Sequence, residues 1–140
     1  MGGIIIYKDL FNMENETTTE EEKKEAKVEF ETINYDLFSK IKLRVGQIME
    51  AEKVEKSKKL VKLQVNLGEE IGTRQILAGI SQYYTPEELI GRKIIVIVNL
   101  EPAKLMGLES QGMLLAASTD EEGVILLQPE KDISAGAEVR

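Results

Sequence analysis

Beyond Asp36, apolar and polar residues alternate with a period of two over most of the chain, the pattern of strands that bury one face and wet the other. Ile41, Leu43 and Val45 alternate with Lys42 and Arg44, and Gly46 interrupts before Ile48, which reads as a first strand with a bulge or bend. Val61, Leu63, Val65 and Leu67 alternate with Lys62, Gln64 and Asn66 until Gly68, so the second strand carries one basic-polar face. Glu69 and Glu70 turn the chain back, and Gly72 opens a third strand over residues 73–78. Thr85, Pro86 and Glu88 supply an N-cap, a first-turn proline and the N3 carboxylate of a capping box, predicting a short helix over 86–90 that Gly91 stops. Residues 93–98 and 113–118 are the fourth and fifth strands, and 124–127 is a last hairpin partner across the acidic turn Asp120-Glu121-Glu122-Gly123.

Three strands, a small helix and two or more further strands are the order of an OB-fold, a mostly-β, five-stranded Greek-key barrel. In such a barrel the face of strands two and three, with the loops after strand one and between strands four and five, takes oligonucleotides. Here those loops are residues 53–59 and 99–112. The expected domain covers 37–140, with a C-terminal extension from about residue 119.

The first 36 residues differ. Ile4-Ile5-Ile6-Tyr7 reads as a short strand, and a polar stretch follows up to the N-cap candidates Thr17-Thr18-Thr19. A helix over 20–30 is expected, with Glu20, Glu21 and Glu22 at the positive end of its dipole and Glu20 four residues before Lys24. Its apolar positions, Ala26, Val28 and Phe30, bury little, so the segment reads as an acidic linker or a surface-docked helix.

Composition narrows the chemistry. The 140 residues suit one domain with an appendage. With no Cys, His or Trp, the chain lacks thiolate nucleophiles, imidazole bases and the usual zinc ligands, and no metal or cofactor is implied. The remaining carboxylates, Lys, Tyr, Ser and Thr lie mostly in solvated stretches, and no carboxylate stands out as the centre of a hydrolase. No basic region precedes a long apolar segment, so a cytoplasmic location without membrane association is expected.

A formal charge of −7 argues against nucleic acid until its distribution is considered. Residues 1–36 hold 4 Lys against 10 acidic residues, and 112–140 hold 2 basic against 6 acidic; residues 37–111 hold 12 basic against 9 acidic. The positive charge is central. Lys53, Lys56, Lys58 and Lys59 crowd the first loop, while Lys62, Arg44 and Arg74 lie on neighbouring polar faces, so all of them are candidates for one phosphate-binding groove, with solubility as the alternative. In the second loop, Asn99 and Ser110 either cap the loop by side-chain to backbone bonds or face a ligand together with Lys104. Met113 is either a core residue or packs under a base. Phe38, Tyr83 and Tyr84 are read mainly as packing residues, because an aromatic content of 5% leaves too few stacking platforms for unspecific single-strand binding. Recognition of a folded RNA by shape and backbone fits better.

From about Ile41 to Ser118 the chain resembles the tRNA-binding domain found at the C-terminus of methionyl-tRNA synthetases, in stand-alone dimeric tRNA-binding proteins and in the endothelial monocyte-activating polypeptide family. The matching pieces are Arg44-Val45-Gly46-Gln47-Ile48, Arg74-Gln75-Ile76 with Ala78-Gly79-Ile80, Tyr83-Tyr84-Thr85-Pro86-Glu87-Glu88-Leu89, Asn99-Leu100, Pro102, Lys104, Gly107, and Ser110-Gln111-Gly112-Met113-Leu114-Leu115. The resemblance implies homodimerisation, binding to the outer shape of tRNA with little discrimination among tRNAs, and tRNA contacts at Lys59, Arg74, Asn99, Lys104, Ser110 and Met113. One piece departs: where the family commonly has a His-Pro-Asp-Ala-Asp-Lys-Leu-like loop, this chain has Val54-Glu55-Lys56-Ser57-Lys58-Lys59-Leu60, with Lys at two acidic positions. Contacts there should be more electrostatic.

The reading is a non-catalytic tRNA-binding and dimer-forming domain of a methionyl-tRNA synthetase, a C-terminal piece or separate subunit, whose partners are tRNA, a second copy and the synthetase's catalytic part. Residues 128–140, or the same region of a second copy, would cover the edge left by the last hairpin. The rivals are a stand-alone structure-specific tRNA-binding protein or RNA chaperone, and a protein–protein module that uses the groove for a partner chain.

Overall fold

A computed structural model describes residues 28–140. After an irregular stretch from Val28, Asn34 caps a short helix α1 (Tyr35–Ser39), its Oδ1 accepting from the Leu37 amide at 2.9 Å. The strand over 4–7 and most of the helix over 20–30 fall outside the described residues, and residues 28–30 are not helical.

Ten strands follow. The first, β1 (Leu43–Lys53), is the backbone of the fold. Next come β2 (Val61–Asn66), β3 (Thr73–Ala78), the helix α2 (Pro86–Leu89) and β4 (Lys93–Ile97). Three short strands, β5 (Ala103–Leu105), β6 (Leu108–Ser110) and β7 (Met113–Leu114), precede the hairpin β8 (Ala116–Thr119) and β9 (Gly123–Leu126), and β10 (Glu138–Val139) ends the chain. The main sheet runs β3-β2-β1-β4-β7, all antiparallel. Where β3 and the β6–β7 connection meet, the Gln111 amide donates to Gln75 O at 2.8 Å, so the five strands form a nearly closed barrel of the OB type.

The alternation puts Val61, Leu63 and Val65 inward against Ile48, Ile76, Ile94, Val96, Leu114 and Leu126, all buried. Each such side chain contributes about 1.5–3 kcal/mol through burial. Gly46 lies in this interior: a Cβ there would stand 2.5 Å from Val65 Cγ1 and 2.8 Å from Leu67 Cδ2, so only hydrogen lets β1 pass over the β2 side chains. The strand has a bulge, but between Ile48 and Glu50 and not at Gly46, which pairs in regular register with Ile94. The bulge inserts Met49 without a β2 partner and bends the strand.

Four further expectations need correction. The first strand continues to Lys53, because the bulge bends the ladder without ending it. The stretch 99–112 is not all loop, since β5 and β6 pair within it. The fifth strand divides into β7 and β8 at Leu115, whose amide still donates to Ile95 O of β4 while its carbonyl accepts from Leu127 N, and a separate two-stranded sheet starts at Ala116. The C-terminal run covers β1 instead of the last hairpin, with β10 pairing Leu43 to Val139 and Arg44 to Glu138. Lys93 fastens that run by donating to Asp132 Oδ1 at 2.7 Å and to Ile133 O. The bond and the Lys93 charge hold the Asp132 carboxyl below its usual range.

Candidate nucleic-acid interface

A second, smaller apolar cluster organises the outer face of the barrel. Leu77 of β3 points away from the main core, yet it is buried against Leu60 and Leu105, with Val54 and Leu108 packed beside them. Val54 and Leu60 bracket the lysine loop after β1, while Leu105 and Leu108 belong to the β5–β6 hairpin. The two loops named from the strand order are therefore neighbours, joined by shared apolar side chains.

The backbone of the lysine loop is tied down at several points. Ser57 Oγ accepts from the amides of Lys59 and Leu60, each at 3.1 Å, and Ser57 N donates to Val54 O. Ser81 holds the loop to the end of β3, its Oγ donating to Lys58 O at 2.7 Å and its amide to Lys59 O at 3.0 Å. The side chains of Lys53, Lys56, Lys58 and Lys59 are all exposed, and no ion pair engages them among the described residues. Glu55 interrupts the run, so the face is basic without being uniform. Lys104 is exposed on the neighbouring hairpin. A fixed backbone with unpaired ammonium groups suits phosphates, because the cations lose no partner when a polyanion arrives.

The hairpin is locked onto β3 by a polar seam. Gln75 N donates to Gln111 Oε1 at 3.1 Å, Gln75 Nε2 to Glu109 O at 2.8 Å, and Gln64 Nε2 to Gln75 Oε1 at 3.2 Å. Ser110 is fully buried; its Oγ accepts from the Leu77 amide and donates to Gly112 O, both at 3.0 Å. Arg74 Nη1 donates to Val98 O at 2.5 Å and to Gln111 O at 3.3 Å, bridging the end of β4 and the end of the hairpin. Asn99 grips the entry to β1, with Oδ1 accepting from Lys42 N at 2.9 Å and Nδ2 donating to Lys40 O at 2.6 Å. Asn99 and Ser110 both make side-chain to backbone bonds, but those of Asn99 reach Lys40 and Lys42 and one of Ser110's reaches Leu77, so they tie the loop to other segments instead of capping it internally, and Arg74 acts with them.

The remaining candidates divide. Met113 is half-buried in β7 opposite Ile97. Lys62 is paired with Glu52 at 2.7 Å, and Arg44 with Glu70 at 2.9 Å while also donating to Gly136 O. Arg44 does not join the lysine loop. It is the second residue of β1, and Lys53 is the last, a span of up to roughly 30 Å along an extended strand. Sequence reasoning passed over Gln75 and Gln111, whose only signal was their place in the motifs flanking the two loops.

No helix among the described residues is long and apolar enough to cross a membrane, and no group of three or more His, Cys, Asp or Glu residues among them is placed to hold a metal ion.

Residues 43–138 match the family model of a tRNA binding domain. Over 137 residues the chain is 53% identical to the methionine–tRNA ligase of Caldanaerobacter subterraneus subsp. tengcongensis, an alignment that covers 97% of this chain and 21% of that protein. The chain thus spans about a fifth of the length of the curated relatives it matches. The solved MetRS-related protein of Pyrococcus horikoshii is 41% identical, with a TM-score of 0.73, and the match covers 79% of this chain and 100% of that one. The chaperone CsaA of Bacillus anthracis is 30% identical, with a TM-score of 0.71 and the same coverage.

Proposed function

The chain belongs to the tRNA-binding domain family, and from that membership we propose that it acts as the non-catalytic tRNA-binding domain of a methionyl-tRNA synthetase, as a C-terminal piece or a separate subunit, in the cytoplasm. The observation that carries the reading is the joint placement of exposed, unpaired lysines and a rigid hairpin on one small apolar cluster. Lys56, Lys58, Lys59 and Lys104 meet the tRNA backbone. Arg74, Asn99 and Ser110 hold the loop that presents them, and Met113 lies in the strand that roots it. Tethering tRNA near a catalytic domain raises its effective concentration without new active-site contacts.

The proposal includes a homodimer. Phe30, Ile33, Tyr35, Leu37, Phe38 and Ile41 are all exposed, forming an apolar stretch that continues along a groove beside Leu43 and Val139. An apolar area of this kind is covered when a second copy packs against it.

A second reading, a stand-alone structure-specific RNA-binding protein, is favoured by the full coverage of the MetRS-related and CsaA chains. Both readings place RNA on the same face, and copurification with a synthetase separates them.

The direct test is a titration of labelled tRNA, single-stranded RNA and duplex RNA at two salt concentrations. The expected result is preferential tRNA binding whose logarithm falls linearly with the logarithm of salt, the slope dropping by about one for each contacting lysine replaced by Ala. Equal binding of tRNA and duplex, or none, would transfer the groove to a protein partner.

A further inference from the structure

The β5–β6 hairpin closes through a two-residue turn, Met106-Gly107, between the paired residues Leu105 and Leu108. Both turn residues have positive φ, 53° for Met106 and 81° for Gly107, as a type I′ turn requires. Glycine takes this conformation freely, and asparagine takes it readily with its short polar side chain; a methionine there is strained and has no such local bond to offer. Among the described residues Met106 is the one non-glycine with positive φ.

Its side chain does not recover that cost by burial. Met106 is 53% exposed and belongs to neither apolar cluster, although its neighbour Leu105 is buried. The rest of the hairpin is anchored through Ala103, Leu105 and Ser110, so the tip is held in place while its apolar group faces water. Within the fold, both the strained backbone and the exposed thioether are unfavourable. An external apolar surface would offset them.

We propose that Met106 is a base-contacting residue that packs against the face of an unpaired nucleotide in bound RNA, and this rests on the tRNA-binding reading above. A polyanion drawn to Lys104 and the lysine loop offers few apolar surfaces, and its base faces are the largest. In a duplex those faces are stacked on one another, whereas the loops and ends of a folded RNA leave some open. A polarisable, unbranched thioether adapts to any of the four bases, so the contact selects for an open base without reading its identity. The lysines would supply salt-dependent attraction, and Met106 a salt-independent part that distinguishes tRNA from duplex.

The test compares wild type with Met106→Asn and Met106→Gly, which suit the turn, and Met106→Leu, which keeps an apolar tip. Unfractionated tRNA and a fully paired RNA duplex are the probes, with thermal unfolding as the control for folding. The expected result is that the Asn and Gly variants melt at or above the wild-type temperature, yet bind tRNA roughly five- to tenfold more weakly with an unchanged salt slope and unchanged duplex binding. The Leu variant retains most of the affinity. Wild-type affinity in the Asn and Gly variants, or an equal loss for tRNA and duplex, overturns the base contact. Failure of the wild-type protein itself to prefer tRNA overturns the underlying functional reading instead.

Discussion

Ser110 is a hydroxyl in a fully buried position with a backbone donor and a backbone acceptor on either side. Replacing it by Ala strands the Leu77 amide and should cost about 1–3 kcal/mol, read as a lower urea midpoint with an unchanged m-value. Gly46→Ala should cost at least as much, about 1–3 kcal/mol, because the added methyl collides with Val65 and Leu67 in an already filled interior. If either variant keeps the wild-type midpoint, the close packing described at that residue is wrong. The sequence marked both residues as special but not why. The partners of Asn99 lie 59 and 57 residues away and those of Ser110 include one 33 residues away, distances over which a linear pattern carries no pairing information. Two readings, internal cap or ligand contact, were therefore equally open until the fold brought the partners together.

Elements with many alternating positions were legible, and short ones were not. β2 and the capping box of α2 have the local pattern that burial and backbone satisfaction demand, and Thr85 and Glu88 make the expected reciprocal bonds. The β5–β6 hairpin escaped because each strand has three residues and its turn carries Met-Gly in place of the usual Asn-Gly. The C-terminal return to β1 also escaped, since a two-residue strand has no periodicity to read. That return hangs on Lys93 and Asp132. The Asp132 pKa is lowered first by the hydrogen bond from Lys93 and then by its charge, so the folded value lies below the unfolded one. The stabilisation is thus present above the unfolded pKa and lost as pH falls through the lowered value. Asp132→Asn should speed amide exchange at Gly136, whose N–H bonds Val45 O, at neutral pH. The difference from wild type should vanish once the pH has fallen through that lowered value and the carboxylate is protonated. A difference that persists in acid would show that the ion pair does not hold the strap.

Across the whole molecule, a net charge of −7 misstates the surface that matters, because the acidic residues concentrate at the two ends of the sequence and the lysines in its middle. Counting charge by segment made the basic face visible, but the joining of its two loops depends on Leu60, Leu77 and Leu105, which no charge count can show. The apolar residues of α1 and its approach give the opposite case: Tyr35 and Phe38, with ring centroids 6.2 Å apart, were read as packing residues or passed over, and they remain exposed on this chain. If a second copy covers them, Tyr35→Glu with Phe38→Glu should convert a dimer to a monomer in sedimentation velocity at micromolar concentration. The lysine face should keep its affinity per subunit. A wild-type protein that already sediments as a monomer would remove the dimer from the proposal.

The Asn99 amide holds Lys40 O and Lys42 N at once, and Asn99 itself sits where β4 gives way to the stretch that leads into the hairpin. Whatever pulls on the chain upstream of Lys40 therefore pulls on this side chain together with the Val98 amide, which donates to Lys42 O at 2.9 Å. The load passes sideways into the root of the binding loop before the ladder of β1 feels it. A domain hung from its N-terminal side would carry its cargo through that joint, which couples the tether directly to the root of the loop that bears Lys104.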